Sequence, residues 1–197
     1  MRTEERAIYL YAELSERAQE KARDWYRAKS NCFEANYITS EAKEFAAIMG
    51  IRHPQIYWRV AYGKGNGACI VGDYYPPGAD HIHLLRSKDA PKEVIAIAEN
   101  LAVVQALYEN TVYGTISQIA HYHSMQFDLG TDCFDGVAGT RDLTADDEGE
   151  VKIQWRAFAH WIYMSLDAEY EYTQTDEYVA DALIANEYEF TVDGVLV

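Results

Sequence analysis

The chain has 197 residues, 49% apolar and 25% charged, with a formal net charge of −15. That is enough chain for one large or two small globular domains, and its composition is not that of a disordered protein. The acidic balance argues against nucleic acid as a direct ligand, because phosphates are met by Lys and Arg, and no stretch approaches the roughly 20 apolar residues of a membrane helix. Cys32, Cys69 and Cys133 are odd in number and far apart, as expected of reduced thiols in a cytoplasm. The first residues, up to Gln19, show no apolar signal-peptide core, so a cytoplasmic location in a host cell is expected.

Ala7–Tyr11 reads as a first strand, and Ser15 as the cap of a helix running to about Ala28. Thr39 or Ser40 is expected to open a second helix that closes at Gly50, followed by a turn at His53-Pro54. Gln55–Tyr62 and Ala68–Tyr75 read as two strands joined by a glycine turn. Gly63, Gly65 and Gly67 are its structural residues, since a tight hairpin needs positive φ. Pro76-Pro77-Gly78 should break the sheet and lead through a polar loop to Ser87.

Pro91 suits the first turn of a third helix, whose buried face is Val94, Ile97, Ala98, Leu101, Val104 and Tyr108 at spacings of three and four. Val112–Gln118 and Tyr122–Leu129 form a second strand pair, and Gly130–Gly149 a long loop. A fourth helix follows over about Glu150–Glu171, with Trp155, Phe158, Ala159, Ile162, Leu166 and Tyr170 as its core stripe. Thr175 or Asp176 opens a fifth helix ending near Asn186, and Tyr188, Phe190 and Val192 alternate as a last strand. The order β-α-α-β-β-α-β-β-α-α-β predicts an α+β fold: a mostly antiparallel sheet of hairpins packed with about five helices. One domain over residues 1–197 is expected, with a division into lobes near residue 90 as the alternative.

Three constellations bear on chemistry. His81 with His83, and His121 with His123, place imidazoles two residues apart, which on a strand puts both on one face. Asp80 or Asp128 could complete a metal site there. Half-exposed sheet and loop histidines are the plainer reading, so no metal and no cofactor is expected. Residues 63–67 lack the Ser or Thr that follows the lysine of a phosphate-binding loop. No nucleophile motif is present, and the chain is read as non-enzymatic.

The charge distribution is the stronger signal. Residues 142–194 hold 14 acidic residues against Lys152 and Arg156, a charge of −12, whereas residues 1–141 hold 18 against 15, a charge of −3. Sixteen tyrosines include several set among these carboxylates. Tyrosine gives large contact area with a polar handle, so Asp167, Glu169, Glu171, Tyr172, Asp176, Glu177 and Asp181 form a candidate surface for a basic protein partner.

Several segments together resemble a family of bacteriophage and prophage proteins. Its Leu-Ser-x-x-Ala-Gln-x-x-Ala is matched by Leu14-Ser15-Glu16-Arg17-Ala18-Gln19-Glu20-Lys21-Ala22. Its Ser-Gln-Gly-Asp-Gly-Ala-Cys-Phe-Glu-Gly is matched in part over Gly63 to Gly72, and its His-Tyr-x-His in part by His121-Tyr122-His123. Its ending is similar to Trp161-Ile162-Tyr163, Glu169-Tyr170-Glu171-Tyr172 and Asn186-Glu187-Tyr188-Glu189-Phe190-Thr191. The Ser-Gln and Asp of the family's turn are missing here, which leaves the glycines and Cys69 as a structural turn. Members carry the label "antitoxin of toxin-antitoxin stability system". The resemblance and the charge bias together imply an acidic inhibitor of mobile-element origin. It would bind a basic host defence protein, as anti-CRISPR and other counter-defence proteins do; an antitoxin bound to its toxin and a metal-dependent enzyme are the alternatives.

Overall fold

The computed structural model describes residues 7–29, 33, 35–60, 65–118, 124–131 and 141–197. It is an α+β protein of six α-helices and two antiparallel sheets among the described residues. The chain divides into two compact units, one built from residues 1–34 and 168–197 and the other from 35–167. The expected lobe boundary near 90 falls inside the second of these.

In the first unit, β1 (Tyr9–Leu10) pairs antiparallel with β6 (Glu189–Phe190), Tyr9 opposite Phe190. A short 3-10 turn over Tyr11–Glu13 ends the first strand after two residues, so the strand is shorter than its aromatic composition suggests. Helix α1 (Glu16–Lys29) turns Ala18, Ala22 and Tyr26 inward. They meet Tyr11, Leu14 and Phe190, with Val179 and Leu183 of α6 (Asp176–Ala185), in one apolar cluster. Trp25 closes it edge-on to Tyr188 and Phe190, at ring separations of 5.5 and 6.2 Å. The expected strand from Tyr188 to Val192 is only two residues long, and Val192 is exposed.

The second unit carries the four-stranded sheet β2-β3-β4-β5, all neighbours antiparallel. Its strands are β2 (Ile51–Arg59), β3 (Gly67–Tyr74), β4 (Tyr113–Gln118) and β5 (Met125–Gly130). One sheet face buries Ile51, Ile70, Tyr74, Ile116 and Met125. Helices α2 (Asn36–Ile48) and α4 (Lys92–Leu107) bury Phe45 and Leu101. Helix α5 (Ala145–Thr173) supplies Trp155, 5.5 Å from the Tyr74 ring, and Trp161, 6.0 Å from the Phe45 ring. The predicted stripes of α4 and α5 are all buried except Tyr170, which is half-buried. Each large side chain so buried contributes roughly 1.5–3 kcal/mol.

Four local expectations are corrected. Helix α2 begins at Asn36, not at Thr39 or Ser40: the Thr39 hydroxyl donates to the Ala35 carbonyl at 3.0 Å, so it bonds back into the first turn and does not cap it. His53-Pro54 is not a turn after the helix; it lies within β2 at a bulge between Arg52 and Gln55, with His53 at φ 52°. The stretch before Ser87 is not a loop but contains α3 (His81–Ser87), which makes six helices where about five were expected. Helix α5 starts at Ala145, inside the expected loop. Thr144 caps it, its hydroxyl accepting from the Asp147 amide at 3.2 Å while donating to the Asp147 carboxylate at 2.6 Å.

Candidate functional site

The acidic end of the chain is positioned by α1. Thr175 caps α6 by accepting the Tyr178 amide at 3.3 Å, and the turn before it is held by two arginines one helical turn apart. Arg27 donates through Nε to the Gln174 carbonyl at 3.0 Å and through Nη2 to Asp176. Arg23 lies 3.3 Å from the same carboxylate and donates to the Tyr11 hydroxyl at 2.7 Å. The Arg27 hydrogen bond, with the Arg23 and Arg27 charges, holds the Asp176 carboxyl below its usual range. Of the predicted partner-binding residues, Asp176 is thus already committed to the fold.

The others fall into two groups. Asp167 belongs to the second unit, where the Tyr163 hydroxyl donates to it at 3.4 Å. Glu169, Glu171, Tyr172, Glu177 and Asp181 belong to the first. Glu171, Glu177 and Asp181 are exposed, and none is in an ion pair among the described residues. Glu177 and Asp181 are one turn apart on α6, so two like charges share its surface. Tyr172, 53% exposed, lies edge-on to Tyr178 at 5.3 Å. Residues 168–197 contain eight carboxylates and no Lys or Arg.

Elsewhere in the acidic quarter three carboxylates are answered locally. Asp147 accepts from the Tyr108 hydroxyl at 2.5 Å, and the Thr144 and Tyr108 hydroxyls hold its carboxyl low. Lys152 pairs with Glu148 at 2.6 Å, and Gln154 donates to Glu150 at 2.6 Å.

The histidine reading changes with the structure. His81 and His83 stand on a helix, where a spacing of two turns side chains to nearly opposite sides. His81 is buried with Nδ1 2.7 Å from the Gly78 carbonyl, while His83 is exposed. His121 and His123 lie outside the described residues. Among the described residues no three His, Cys, Asp or Glu side chains are grouped as metal ligands are. Asp80 precedes α3, and Asp128 lies on β5. In the glycine turn, Gly65 has φ 103° and Gly67, the first residue of β3, has φ 158°; Gly63 lies outside the described residues. No described helix is long and apolar enough to cross a membrane.

One arrangement escaped the sequence reading, since only strand register reveals it. Arg52, Asp73, Thr115 and Asp128 stand opposite one another across all four strands, on the exposed sheet face. Thr115 donates to Asp73 at 3.3 Å, and the Arg52 guanidinium sits 3.7 Å over the Tyr75 ring. Tyr75, Tyr113 and Gly130 complete an open cleft of about 380 Å³ with Asp73, Thr115 and Asp128.

A family described as a domain of unknown function, DUF8835, matches residues 35–176. The chain belongs to that family. The DUF8835 match begins at the first residue of the second unit and ends at Asp176, the first residue of α6. It therefore takes in the four-stranded sheet and its cleft, whereas Glu177 and Asp181 lie beyond it. No curated protein and no solved structure matches the chain.

Proposed function

We propose that the protein is a non-enzymatic, acidic inhibitor of mobile-element origin that binds the basic surface of a nucleic-acid-acting host protein in the cytoplasm. One observation carries this reading: Glu171, Glu177 and Asp181 are exposed and unpaired among the described residues, beside the half-exposed Tyr172, in a segment without a single basic residue. Carboxylates held on helical backbone at this density imitate the charge of a phosphate chain and speed association with a basic groove. Tyr172 adds apolar contact area at low entropic cost. The resemblance to phage and prophage proteins supplies the origin.

The test compares the full chain with a Glu171→Gln, Glu177→Gln, Asp181→Asn variant. Both are used to capture proteins from host extract at low and high salt, and both are expressed in cells whose defence systems restrict phage plating. The parent is expected to retain a basic nucleic-acid-acting protein at low salt and to raise plating efficiency. The variant should do neither, since exposed charges act over only about 8 Å at physiological ionic strength. A variant that captures and inhibits as fully as the parent at both salt levels overturns the reading.

A further inference from the structure

Between Glu44 and Asp73 the chain has no acidic residue, yet it carries Arg52, Arg59 and Lys64. In a protein of net charge −15 that interval has the opposite sign, and β2 occupies its centre. Among the described residues β2 is an end strand of its sheet. Six of its nine residues are exposed, namely Arg52, His53, Gln55, Tyr57, Trp58 and Arg59. Tyr57 is 50% exposed and Trp58 40%.

An edge strand presents unpaired amides and carbonyls, and proteins usually blunt it with proline, bulges or charge. The first half of β2 is blunted in this way, by the Arg52–Gln55 bulge, the positive φ of His53 and the missing N–H of Pro54. The second half is not. From Gln55 opposite Val71 to Arg59 opposite Gly67 the register is unbroken, so alternate residues turn their N–H and C=O toward the outer side. Arg52 is engaged over Tyr75, whereas Arg59 has no carboxylate within ion-pair distance among the described residues.

We propose that residues 55–59 of β2 are a docking edge for an acidic, extended peptide segment of a partner protein, which joins the sheet as an added strand. Main-chain hydrogen bonds along the edge provide affinity. Arg59 receives a carboxylate of the peptide, and Tyr57 and Trp58, on opposite faces of the strand, grip its apolar side chains. Charge decides among the occupants. A nucleic acid brings about one negative charge per nucleotide against two described arginines and a net −15, so repulsion exceeds what this edge returns. A second copy pairing β2 with β2 would join two strands that each carry only basic charge. An acidic strand has the right sign, and its backbone bonds are indifferent to the charge of the whole.

The experiment selects a displayed random dodecapeptide library on the immobilised full chain, with an oligo(dT) strand and the protein itself as competing probes. The selected peptides should combine Asp or Glu with apolar residues, and should protect the outward-facing amides among residues 55–59 from hydrogen exchange. Arg59→Glu, an exposed change whose fold is checked by circular dichroism, should weaken the acidic peptides at least tenfold. Lys-substituted versions of the same peptides should restore binding to that variant. Failure to enrich acidic sequences, protection elsewhere in the chain, unchanged binding by Arg59→Glu, or tighter binding of oligo(dT) would each overturn the proposal.

Discussion

Gln105 and Tyr74 are a buried polar pair whose partners are fully specified. The Gln105 amide donates to the Tyr74 hydroxyl at 3.0 Å and to the Val112 carbonyl at 2.7 Å, while its oxygen accepts the Val112 amide at 3.2 Å. Gln105→Leu leaves those groups unpaired in the core, so it should cost about 1–3 kcal/mol, read as a lower urea midpoint at unchanged slope. Burial pushes the Tyr74 phenol up to about 12, against the weaker opposing effect of Gln105, and pushes the Cys69 thiol up to about 11. Each folded-state value is raised, so the fold favours the neutral form. That stability is full below the unfolded values, near 10 for tyrosine and 9 for cysteine, and is lost as pH rises through the folded ones. Urea midpoints should therefore fall between about pH 9 and 12. Tyr74→Phe should flatten the upper part of that decline, and a decline identical in the variant would contradict the assignment. No spacing rule points to Gln105, because its partners are fixed by where the chain ends α4 and enters β4.

At the level of elements, what was legible had a period. The stripes of α4 and α5 repeat at three and four residues, and Val94, Leu101, Trp155, Phe158 and Ile162 are buried as that repeat requires. What was missed depended on a single side chain or on distant pairing. Thr39 has the composition of a cap but bonds backward, α3 is too short for periodicity, and Asp146 to Gly149 read as loop although Thr144 caps them into α5. The concentration of carboxylates toward the end of the chain is visible in the sequence, but the engagement of Asp176 by Arg27 is not, since the Arg27 contact to the adjoining Gln174 spans 147 residues of sequence. The Arg52–Asp73–Thr115–Asp128 row likewise needs the register of four strands. Gly114 belongs to that register: a Cβ there would lie 2.0 Å from the Asp128 carbonyl oxygen, backbone that cannot move aside cheaply. Gly114→Ala should cost at least about 1–3 kcal/mol on the scale of overpacked sites. Thr144→Ala, which removes the α5 cap, should cost about 1 kcal/mol. Thermal melts of both variants check this, and the glycine variant should be the less stable.

The whole molecule joins a DUF8835 region, which coincides with the second unit and extends to Asp176, to a first unit made from its two ends. The cores differ in scale. Among the described residues the first unit has a cluster of eight buried residues, while the second buries Ile51, Ile70, Tyr74, Ile116 and Met125 of its sheet together with the stripes of α4 and α5. Closing the first unit also joins segments separated by more than a hundred residues, at an entropic cost that grows with the logarithm of the loop. A small core with a long closure should open at lower free energy than the rest. The amides of α1 and α6 are therefore expected to exchange before those of β3 and α4. Asp176 adds a pH signature to this opening. Its carboxyl is held low by Arg27 and Arg23, so its stabilisation is present above the unfolded carboxylate value and fades as pH falls through the folded one. The Asp176 side chain is 69% exposed, which keeps the effect small. Acidification should accordingly hasten exchange in α1 and α6 while leaving β3 and α4 unchanged once the intrinsic rate is corrected for pH. Asp176→Asn should produce the faster exchange at neutral pH and remove its acid dependence. Equal opening free energies for α6 and β3, or an acid response that survives Asp176→Asn, would show that the two units open as one and that the Asp176 contact does not tie the chain ends together.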